Sequence, residues 1–202
     1  MKSYFENNKI ELGIDEAGRG CLLGPVCIGS VILGNLEDNP CPYEIRDSKK
    51  CSPKIRGILR EYIETNSIAY SVQLIHEKTI DEINILQATM KGMHKCIEDI
   101  SEQIKIDTIL VDGNYFAPYM DDDFEPINHM CIPKGDNIYS NIAAASILAK
   151  EYHDEYIHNL VRDNPELEKY KLLNNKGYGT QDHLNAIQEF GLTKWHRKSF
   201  KI

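Results

Sequence analysis

The sequence lacks the features that mark membrane, secreted and zinc-thiolate proteins. No stretch approaches the roughly 20 consecutive apolar residues that a membrane-spanning helix needs, and the first nine residues hold no apolar segment typical of a signal peptide. The six cysteines form no Cys-x-x-Cys pair, so neither a structural zinc site nor a disulfide framework is indicated. We therefore expect a cytoplasmic protein whose cysteines are free thiols.

Low-complexity tracts, internal repeats and Pro/Gly/Ser-rich linkers are also absent. A chain of 202 residues without linkers suits one domain, and we expect residues 1–202 to form it, with about 164–202 as a small C-terminal helical extension. Lys and Arg total 23 against 31 Asp and Glu, which gives a formal net charge of −8. That balance argues against simple charge-driven binding to nucleic acid or to an anionic membrane.

The basic side chains are nevertheless concentrated in two short segments. Residues 46–60 and 191–202 together hold ten of the 23 basic side chains and only one of the 31 acidic ones. Basic segments of this kind can follow a phosphate backbone independently of base sequence, although a solvated helix face is an equal alternative for residues 54–60. The acidic run 121–123 is interpreted as an exposed loop and not as a metal site.

Periodicity predicts a chain in which strands and helices alternate. Apolar/polar alternation and short apolar runs predict strands at 10–14, 25–33, 67–75, 108–111 and 127–132. Apolar residues spaced three or four apart predict helices that follow Ser52, cover 81–103, start near 139 and follow Thr180. The first two strands should pair antiparallel, and the later ones should add in parallel. This order predicts an α/β fold, a mixed five-stranded sheet flanked by helices on both faces.

Four acidic residues stand where predicted strands stop. Asp15 and Glu16 close the first strand, Asp112 closes the apolar run 108–111, and Asp136 follows the last strand. Functional sites of open α/β sheets gather at strand ends, and carboxylates that meet there need a cation, for which oxygen ligands favour Mg²⁺ or Mn²⁺. Such a cluster is typical of two-metal phosphodiester hydrolysis, although Asp112 and Asp136, taken singly, are better explained by turn formation or helix capping.

Seven sequence blocks, in the same order along the chain, resemble the signatures of ribonuclease HII, the type 2 ribonuclease H family. The blocks are Gly13-Ile14-Asp15-Glu16-Ala17-Gly18-Arg19-Gly20, Asp47-Ser48-Lys49-Lys50, Asp112-Gly113-Asn114, Lys134-Gly135-Asp136, Ala143-Ala144-Ala145-Ser146-Ile147-Leu148-Ala149-Lys150, Lys176-Gly177-Tyr178-Gly179-Thr180 and His196-Arg197-Lys198-Ser199-Phe200. They run from about residue 12 to residue 200, so the resemblance covers nearly the whole chain.

The resemblance implies a ribonuclease H-like fold and an endonuclease that cuts RNA paired with DNA, leaving 5′-phosphomonoesters. It also implies incision on the 5′ side of single ribonucleotides embedded in duplex DNA. Asp15, Glu16, Asp112 and Asp136 are implied as both the catalytic and the metal-binding residues, which hold two Mg²⁺ or Mn²⁺ ions.

The resemblance further assigns the contacts to the substrate. It implies that Gly18, Arg19 and Gly20 read the RNA–DNA junction and that Tyr178 packs on the deoxyribose beyond it. These residue types suit the task, because glycine lets the backbone approach a sugar, arginine can fork onto a phosphate, and the 2′-hydroxyl both donates and accepts. Further contacts are expected from polar residues of the matched blocks, namely Lys49, Lys50, Ser146 and Lys150.

The chain departs from the family pattern near these contacts. Cys21 replaces a usual proline after Gly-Arg-Gly, and Gly179 replaces a frequent one after the tyrosine, which predicts a looser junction loop because proline stiffens turns. His153 stands where the family carries a basic residue, and Asp154 keeps the acid that follows it. This exchange bears on a phosphate contact or a structural ion pair and not on the metal site, and we interpret Asp154 as a structural residue.

Two other classes of function fit parts of the sequence. A non-catalytic module that binds RNA–DNA hybrids would not need all four carboxylates, and a test for metal-dependent cleavage separates the two. A phosphohydrolase for small nucleotides is disfavoured because the sequence has no Gly-rich P-loop, and competition between duplex and free nucleotides would decide. Ribonuclease HIII carries an extra N-terminal domain, whereas only about ten residues precede the first predicted strand here. We expect a monomer, and binding to a sliding clamp stays open.

Overall fold

The computed structural model describes residues 1–6, 8–34, 40–121 and 123–201 and contains a five-stranded sheet. The strands are β1 (Glu11–Ala17), β2 (Val26–Leu33), β3 (Ser67–Ile75), β4 (Thr108–Asp112) and β5 (Asn128–Ile132). Their spatial order is β3-β2-β1-β4-β5, so β1 lies at the centre of the sheet. All five predicted strands are present, and the predicted mixed α/β sheet is confirmed.

The strand directions differ from the prediction at β3. β1 pairs antiparallel with β2, and β1, β4 and β5 are parallel, as expected, but β3 pairs antiparallel with β2. The prediction did not include that, between β2 and β3, the chain comes back to the edge of the sheet at which β2 begins. A 3₁₀ helix at Ser48–Lys50 lies at the carboxyl end of β1, and helix α1 (Pro53–Asn66) leads from there directly into Ser67. β3 therefore starts beside Leu33, where β2 ends.

Helices cover both faces of the sheet, as predicted. Helices α1 and α3 (Ser140–Asp163) share one apolar cluster with β2, and α2 (Glu77–Ser101) packs on the opposite face against β1, β2 and β4. The predicted caps are confirmed, because Ser52 accepts a hydrogen bond from a backbone amide in α1 and Thr180 accepts one in α5 (Gln181–Phe190).

Helix α2 begins four residues before the predicted 81–103 and is interrupted at Asn84. The backbone of Asn84 has φ 65° and ψ 164°, a conformation that residues other than glycine rarely adopt. Its side chain accepts a hydrogen bond from the Gln87 amide at 3.1 Å, which is the bond of an N-cap. The apolar spacing continues through the break, so periodicity alone could not reveal it.

The residues after α3 form a small helical unit against its second half. The unit contains the 3₁₀ helix Pro165–Tyr170, helix α4 (Leu172–Asn175) and helix α5. Buried apolar side chains join this unit to α3 and to the segment after β1. They are Leu167, Tyr170, Leu172 and Ala186 of the unit, Ile157 and Val161 of α3, and Leu23 after β1. The division of the chain into one domain with an extension stays a prediction. Within the described ranges, no helix combines the length and apolarity needed to cross a membrane.

Two glycines on adjacent strands let α3 lie unusually close to the sheet. A Cβ at Gly29 of β2 would lie 2.3 Å from the backbone oxygen of Ala145, and one at Gly13 of β1 would lie 2.3 Å from the carbonyl carbon of Asn141. Real Cβ atoms do not approach backbone atoms so closely, so this contact requires glycine. The close approach brings Ser146 of α3 down to the strand ends where the acidic residues lie.

Gly29→Ala should therefore destabilise the protein by about 1–3 kcal/mol, because α3 must move away from β2. For a chain of this size that lowers the unfolding temperature by roughly 2–4 °C for each kcal/mol. The matched control is Gly57→Ala in α1, where a Cβ meets nothing within 4 Å and should stabilise the exposed helix by about 0.5–1 kcal/mol. Thermal and urea unfolding measure both; equal stability of Gly29→Ala and the native chain would contradict the packing argument.

Candidate active site

The parallel pairing of β1 with β4 brings Asp15 and Asp112 side by side. Ile14 lies opposite Val111, so the two aspartates that follow occupy equivalent positions at the carboxyl ends of neighbouring strands. Side chains alternate along a strand, so Asp15 lies on the same face of the sheet as Gly13, which contacts α3. Asp112 lies on the same face as Leu110, which packs against Ile142 of α3. Both carboxylates therefore face α3.

Asp136 reaches the same edge of the sheet from the turn between β5 and α3. It lies in the 3₁₀ helix Gly135–Asn137, and the amide of Gly135 donates a hydrogen bond to the Asp112 carboxylate at 2.6 Å. Asp136 is 5% exposed, and its carboxylate accepts a hydrogen bond from the Asn137 side chain at 2.7 Å. The Lys-Gly-Asp block thus ties the end of β4 to the start of α3.

Three of the four acidic groups have a raised pKa. Burial raises the pKa of Asp15 well above its ordinary value, and the charges of Glu16 and Asp112 raise it further. Burial also raises the pKa of Glu16, where Arg19 opposes the shift and Asp112 adds to it. The pKa of Asp136 is raised by burial and by the charge of Asp112. The four predicted carboxylates therefore form one electrostatically coupled group.

A cleft of about 280 Å³ opens beside this group. Eight of the predicted site residues line it: Glu16, Gly18, Arg19, Gly20, Lys49, Ser146, Lys150 and Tyr178. Asp15 is only 6% exposed and, like Asp112 and Asp136, is not among the lining residues. Lys50 lies outside the cleft and contacts the Asn137 side chain. A larger groove of about 680 Å³, between α2 and the segment after β4, contains none of the predicted residues.

The predicted junction loop is joined to the predicted junction tyrosine. The Gly18 amide donates a hydrogen bond to the Tyr178 phenol oxygen at 3.3 Å, and the backbones of Cys21 and Tyr178 form an antiparallel bridge. Gly18 has a φ of 76°, which favours glycine, and a Cβ there would lie 2.4 Å from the His153 ring. Burial raises the pKa of Tyr178 to about 12, so its phenol is neutral at pH 7. Tyr178 remains 38% exposed toward the cleft.

The cations at the cleft are held by acids of the protein itself. Arg19 donates to Glu16 at 3.2 Å, and Lys150 donates to Asp154 at 2.8 Å while its ammonium lies 6.0 Å from the centre of the Tyr178 ring. These contacts fix the positions of two charges beside the cleft without a bound substrate.

The two basic segments do not form continuous phosphate-binding surfaces. Arg56 donates to Glu151 at 2.7 Å, and Arg60 bonds Glu64 and Glu155. Both arginines of α1 are therefore held by acidic residues of the protein and do not offer a free phosphate contact. Arg197 of the second segment is completely buried. These three arginines stabilise the fold, so neither segment is a basic surface along its whole length. The lysines of both segments are exposed, and for them the phosphate-binding surface stays a prediction.

Two of the three departures from the family pattern, Cys21 and His153, meet in space. The Cys21 sulfur lies 3.7 Å from Nε2 of His153, and both residues are fully buried. Burial lowers the pKa of His153, so the ring is neutral at pH 7 and does not replace a cation. Asp154 pairs with Lys150 and with Arg56 at 3.7 Å, which is the structural role expected of it.

Two residues of the Asp-Ser-Lys-Lys block belong to the site although the sequence did not assign them a role. The Ser48 hydroxyl lies 3.0 Å from the Ser146 hydroxyl, which in turn hydrogen-bonds Asp15 and lowers the pKa of that carboxyl. The charge of Asp47 raises the pKa of Asp136. Their membership of a matched block was the signal that could have identified them.

The chemistry of the acidic group fits a divalent cation. Burial and the charges of neighbouring acids raise the pKa of Asp15, Glu16 and Asp136. Together with Asp112 they form an oxygen donor set with uncompensated charge, which suits Mg²⁺ or Mn²⁺. In the part of the chain that the structure describes, no three His, Cys, Asp or Glu side chains are gathered closely enough to hold an ion. The charge of Asp112 nevertheless acts on Asp15, Glu16 and Asp136, so the four carboxylates lie at the same edge of the sheet.

The mixed sheet with acidic residues at the ends of its central parallel strands places the protein in the ribonuclease H fold class. Solved structures show the same fold. The ribonuclease HII of Archaeoglobus fulgidus, solved in complex with PCNA, matches with a TM-score of 0.72 and 23% identity over 96% of both chains. Ribonuclease H2 of Pyrococcus horikoshii matches with a TM-score of 0.69 and 25% identity over 95% of this chain and 93% of that chain.

Sequence comparison narrows the class to one family. The ribonuclease HII family model matches residues 12–202. Ribonuclease HII of Christiangramia forsetii is 45% identical over 98% of this chain and 94% of its own length, and that of Parabacteroides distasonis is 44% identical over the same shares. The chain belongs to the ribonuclease HII family. It is a ribonuclease H, an endonuclease that acts on RNA–DNA hybrids, and the non-catalytic alternative is set aside.

Asp15→Asn should stabilise the metal-free protein by about 1 kcal/mol, which is roughly 2–4 °C in unfolding temperature for this chain length. An acid whose pKa is raised by folding contributes stability while protonated and loses that contribution as the pH rises through the raised pKa. The advantage of the variant should therefore grow with pH above about 4, the ordinary carboxyl range.

Calorimetry across pH, with and without Mg²⁺ or Mn²⁺, measures this effect. Added metal should stabilise the native chain and leave Asp15→Asn nearly unchanged. Asp163→Asn is the matched control, since this carboxylate is exposed and pairs only with neighbouring Arg162. A metal-free Asp15→Asn variant that is less stable than the native chain at pH 8 would contradict the argument.

Proposed function

We propose that this enzyme incises on the 5′ side of single ribonucleotides embedded in duplex DNA, in addition to cutting the RNA strand of hybrids. The observation that carries the proposal is the hydrogen bond between the Gly18 amide and the Tyr178 phenol beside the acidic cleft. It joins two elements 160 residues apart in sequence into one surface. A surface that meets the sugars on both sides of a phosphate can distinguish ribose from deoxyribose.

The two halves of this surface suit different sugars. Gly20 is exposed and carries no side chain, so its backbone can approach a 2′-hydroxyl, which both donates and accepts. The Tyr178 ring lies beside it, because a Cβ on Gly20 would be 3.9 Å from the ring. A flat ring packs closely on a deoxyribose, and a 2′-hydroxyl in that position would collide with it. The arrangement therefore favours a ribonucleotide followed by a deoxyribonucleotide.

We further propose that Asp15, Glu16, Asp112 and Asp136 hold two Mg²⁺ or Mn²⁺ ions. When bound, such ions activate water and stabilise the leaving oxygen of a phosphodiester. Asp15 and Asp112 lie on adjacent strands and are placed to hold or bridge the ions, with Glu16 and Asp136 completing the set. A ribonuclease HIII with a similar fold (TM-score 0.65, 18% identity, 90% of this chain and 62% of that chain) was solved with Mn²⁺, which supports this choice of ion.

The basic residues of the cleft orient the phosphates. Arg19 is half exposed and bonds Glu16, so a cation that offsets the Glu16 charge frees the guanidinium for a phosphate. The charge of Lys49 lowers the pKa of both Glu16 and Asp136, so this lysine lies near both carboxylates and can contact the same phosphates. Lys150 is fixed by an ion pair and acts as a positioned charge. A monomeric state and a cytoplasmic location stay predictions.

Asp15→Asn should lower cleavage of an RNA–DNA hybrid by roughly 10³-fold or more, because it removes the central ligand of the acidic group. Binding of the hybrid should survive, since the phosphate contacts lie on other residues. Single-turnover cleavage with Mg²⁺ or Mn²⁺ and fluorescence anisotropy with a labelled hybrid measure the two properties. Asp163→Asn should behave like the native chain, and normal turnover by Asp15→Asn would refute the metal assignment.

Tyr178→Ala should lower incision at a single embedded ribonucleotide by roughly 10–100-fold and affect a long RNA–DNA hybrid less. A long hybrid offers no deoxyribose after most scissile phosphates, so the ring has less to recognise there. Steady-state kinetics on the two substrates measure the difference. Tyr115→Ala, at a half-exposed tyrosine outside the cleft, is the control. An equal loss on both substrates would argue against junction reading by Tyr178.

A further inference from the structure

The C-terminal block His196-Arg197-Lys198-Ser199-Phe200 has no role in the proposed function. It nevertheless lies directly behind the proposed junction reader, which consists of the Gly18–Gly20 loop and Tyr178. Leu23 and His196 form an antiparallel bridge, and the Arg197 amide donates to the Leu22 carbonyl at 2.8 Å. Leu22 in turn donates to the carbonyl of Gly177, the residue before the junction tyrosine. The block therefore contacts the segment that follows the Gly-Arg-Gly loop, and that segment in turn contacts the residue before Tyr178.

Arg197 is the largest fully buried side chain among the described residues. Its guanidinium donates to three carbonyl oxygens, those of Gly24 at 2.8 Å, Arg19 at 2.8 Å and Gly18 at 2.7 Å. Its other side faces the ring of Phe200, 5.1 Å from the ring centre. Two of its three partners are therefore residues of the Gly-Arg-Gly loop.

Charge pairing does not explain the burial of this arginine. In the described ranges no carboxylate lies within ion-pair distance of Arg197, and burial lowers its pKa to about 10, which still leaves it charged at pH 7. A buried guanidinium is costly unless its donors are satisfied, and here backbone carbonyls satisfy them. The planar fork fixes these carbonyls relative to one another, which the single ammonium of lysine cannot do.

A second chain of hydrogen bonds leads from the block to Tyr178. The Thr193 amide donates to Nδ1 of His196 at 2.9 Å, so a neutral His196 carries its proton on Nε2. That proton is donated to Nε2 of His183 at 3.1 Å, and Nδ1 of His183 then donates to the Tyr178 carbonyl at 3.0 Å. Burial lowers the pKa of both histidines, that of His196 to about 4, so this set of neutral rings holds at pH 7.

We propose that Arg197 is a positioning residue that presets the Gly18–Gly20 loop, and that His196, acting through His183, presets the backbone of Tyr178. The inference rests on the proposed junction-reading function, because it concerns the same surface. Arg197 holds the carbonyl of Gly18, and the amide of Gly18 holds the phenol of Tyr178. The tyrosine is thus fixed at its phenol through Arg197 and at its carbonyl through His183.

The remaining members of the block anchor it to the rest of the protein. The amides of Lys198 and Ser199 and the Ser199 hydroxyl all donate to the Asp81 carboxylate, at 3.0, 2.9 and 2.7 Å. These bonds lower the pKa of Asp81, so the anchor is present at neutral pH. Phe200 packs against the main apolar cluster. The reader is therefore held against α2 and the sheet by way of the C-terminal block.

Arg197→Lys tests the proposal by the junction ratio, which is kcat/KM on a duplex with one embedded ribonucleotide divided by kcat/KM on a long RNA–DNA hybrid. We expect kcat on the embedded ribonucleotide to fall by roughly 100-fold with KM changed by less than about 3-fold, and the junction ratio to fall by about 10-fold. Arg162→Lys, at an exposed arginine of α3, should leave both values unchanged. A merely structural role lowers activity on both substrates equally, so an unchanged junction ratio would overturn the proposal.

A matched pair at His183 keeps the proposal testable if Arg197→Lys does not fold. The side-chain nitrogen of asparagine can take the place of Nδ1 and keep the bond to the Tyr178 carbonyl. The longer glutamine amide reaches the place of Nε2 and keeps only the contact with His196. His183→Asn keeps the bond to Tyr178 and loses only the contact with His196, so it should lower the junction ratio by about 3-fold at most, whereas His183→Gln should lower it about 10-fold. Equal ratios in the two variants would overturn this half of the proposal.

The native chain measured first separates this inference from the function on which it rests. Absence of incision at an embedded ribonucleotide by the native chain would refute the proposed function itself. Incision by the native chain together with an unchanged junction ratio in the folded variants would refute only the positioning by Arg197 and His196.

Discussion

The mutual repulsion of Asp15, Glu16 and Asp112 is the constraint from which the other features of the site follow. Placing several acids together out of water costs several kcal/mol unless a cation offsets their charge. The surrounding structure lowers that cost only in part, through the Ser146 hydroxyl at Asp15 and the Gly135 amide at Asp112. The close approach of α3, which glycines of β1 and β2 permit, is what places both of these donors at the strand ends.

The junction reader is built on the opposite principle. The carbonyls of Gly18 and Tyr178 are hydrogen-bonded to Arg197 and His183, and the Tyr178 phenol accepts from the Gly18 amide. These groups therefore have hydrogen-bond partners before a substrate binds. A group that binds a cation gains from charge left uncompensated, whereas a group that compares two sugars gains from a fixed shape. The enzyme combines both within one cleft because Glu16 and Gly18 are only two residues apart, at the end of β1.

Local patterns of the sequence predicted the parts of this arrangement that depend on local physics. Alternation located β1 and a continuous apolar run located β4, and the acids that follow them come together because parallel strands end at the same edge. The direction of β3 depends on where the chain turns back before α1, and the break at Asn84 leaves the apolar spacing unchanged, so neither was predictable from periodicity. The role of Arg197 was hidden because arginine in a basic segment indicates a surface, and only the packing of distant backbone shows it buried.

The net charge of −8 argued against binding to nucleic acid, and this inference failed because it, too, ignored where side chains lie in the fold. Charges act over about 8 Å at physiological ionic strength, so a substrate responds to the groups near the cleft and not to the sum over the chain. Of the basic residues in the two rich segments, Arg56 and Arg197 are turned inward, whereas Lys49 lines the cleft together with Arg19 and Lys150 from other parts of the chain. Part of the acidic excess is the coupled carboxylate group, whose charge a divalent cation would offset. The sign of the chain's total charge therefore describes its average surface and carries no information about the few groups at the ends of two strands that we propose contact the substrate.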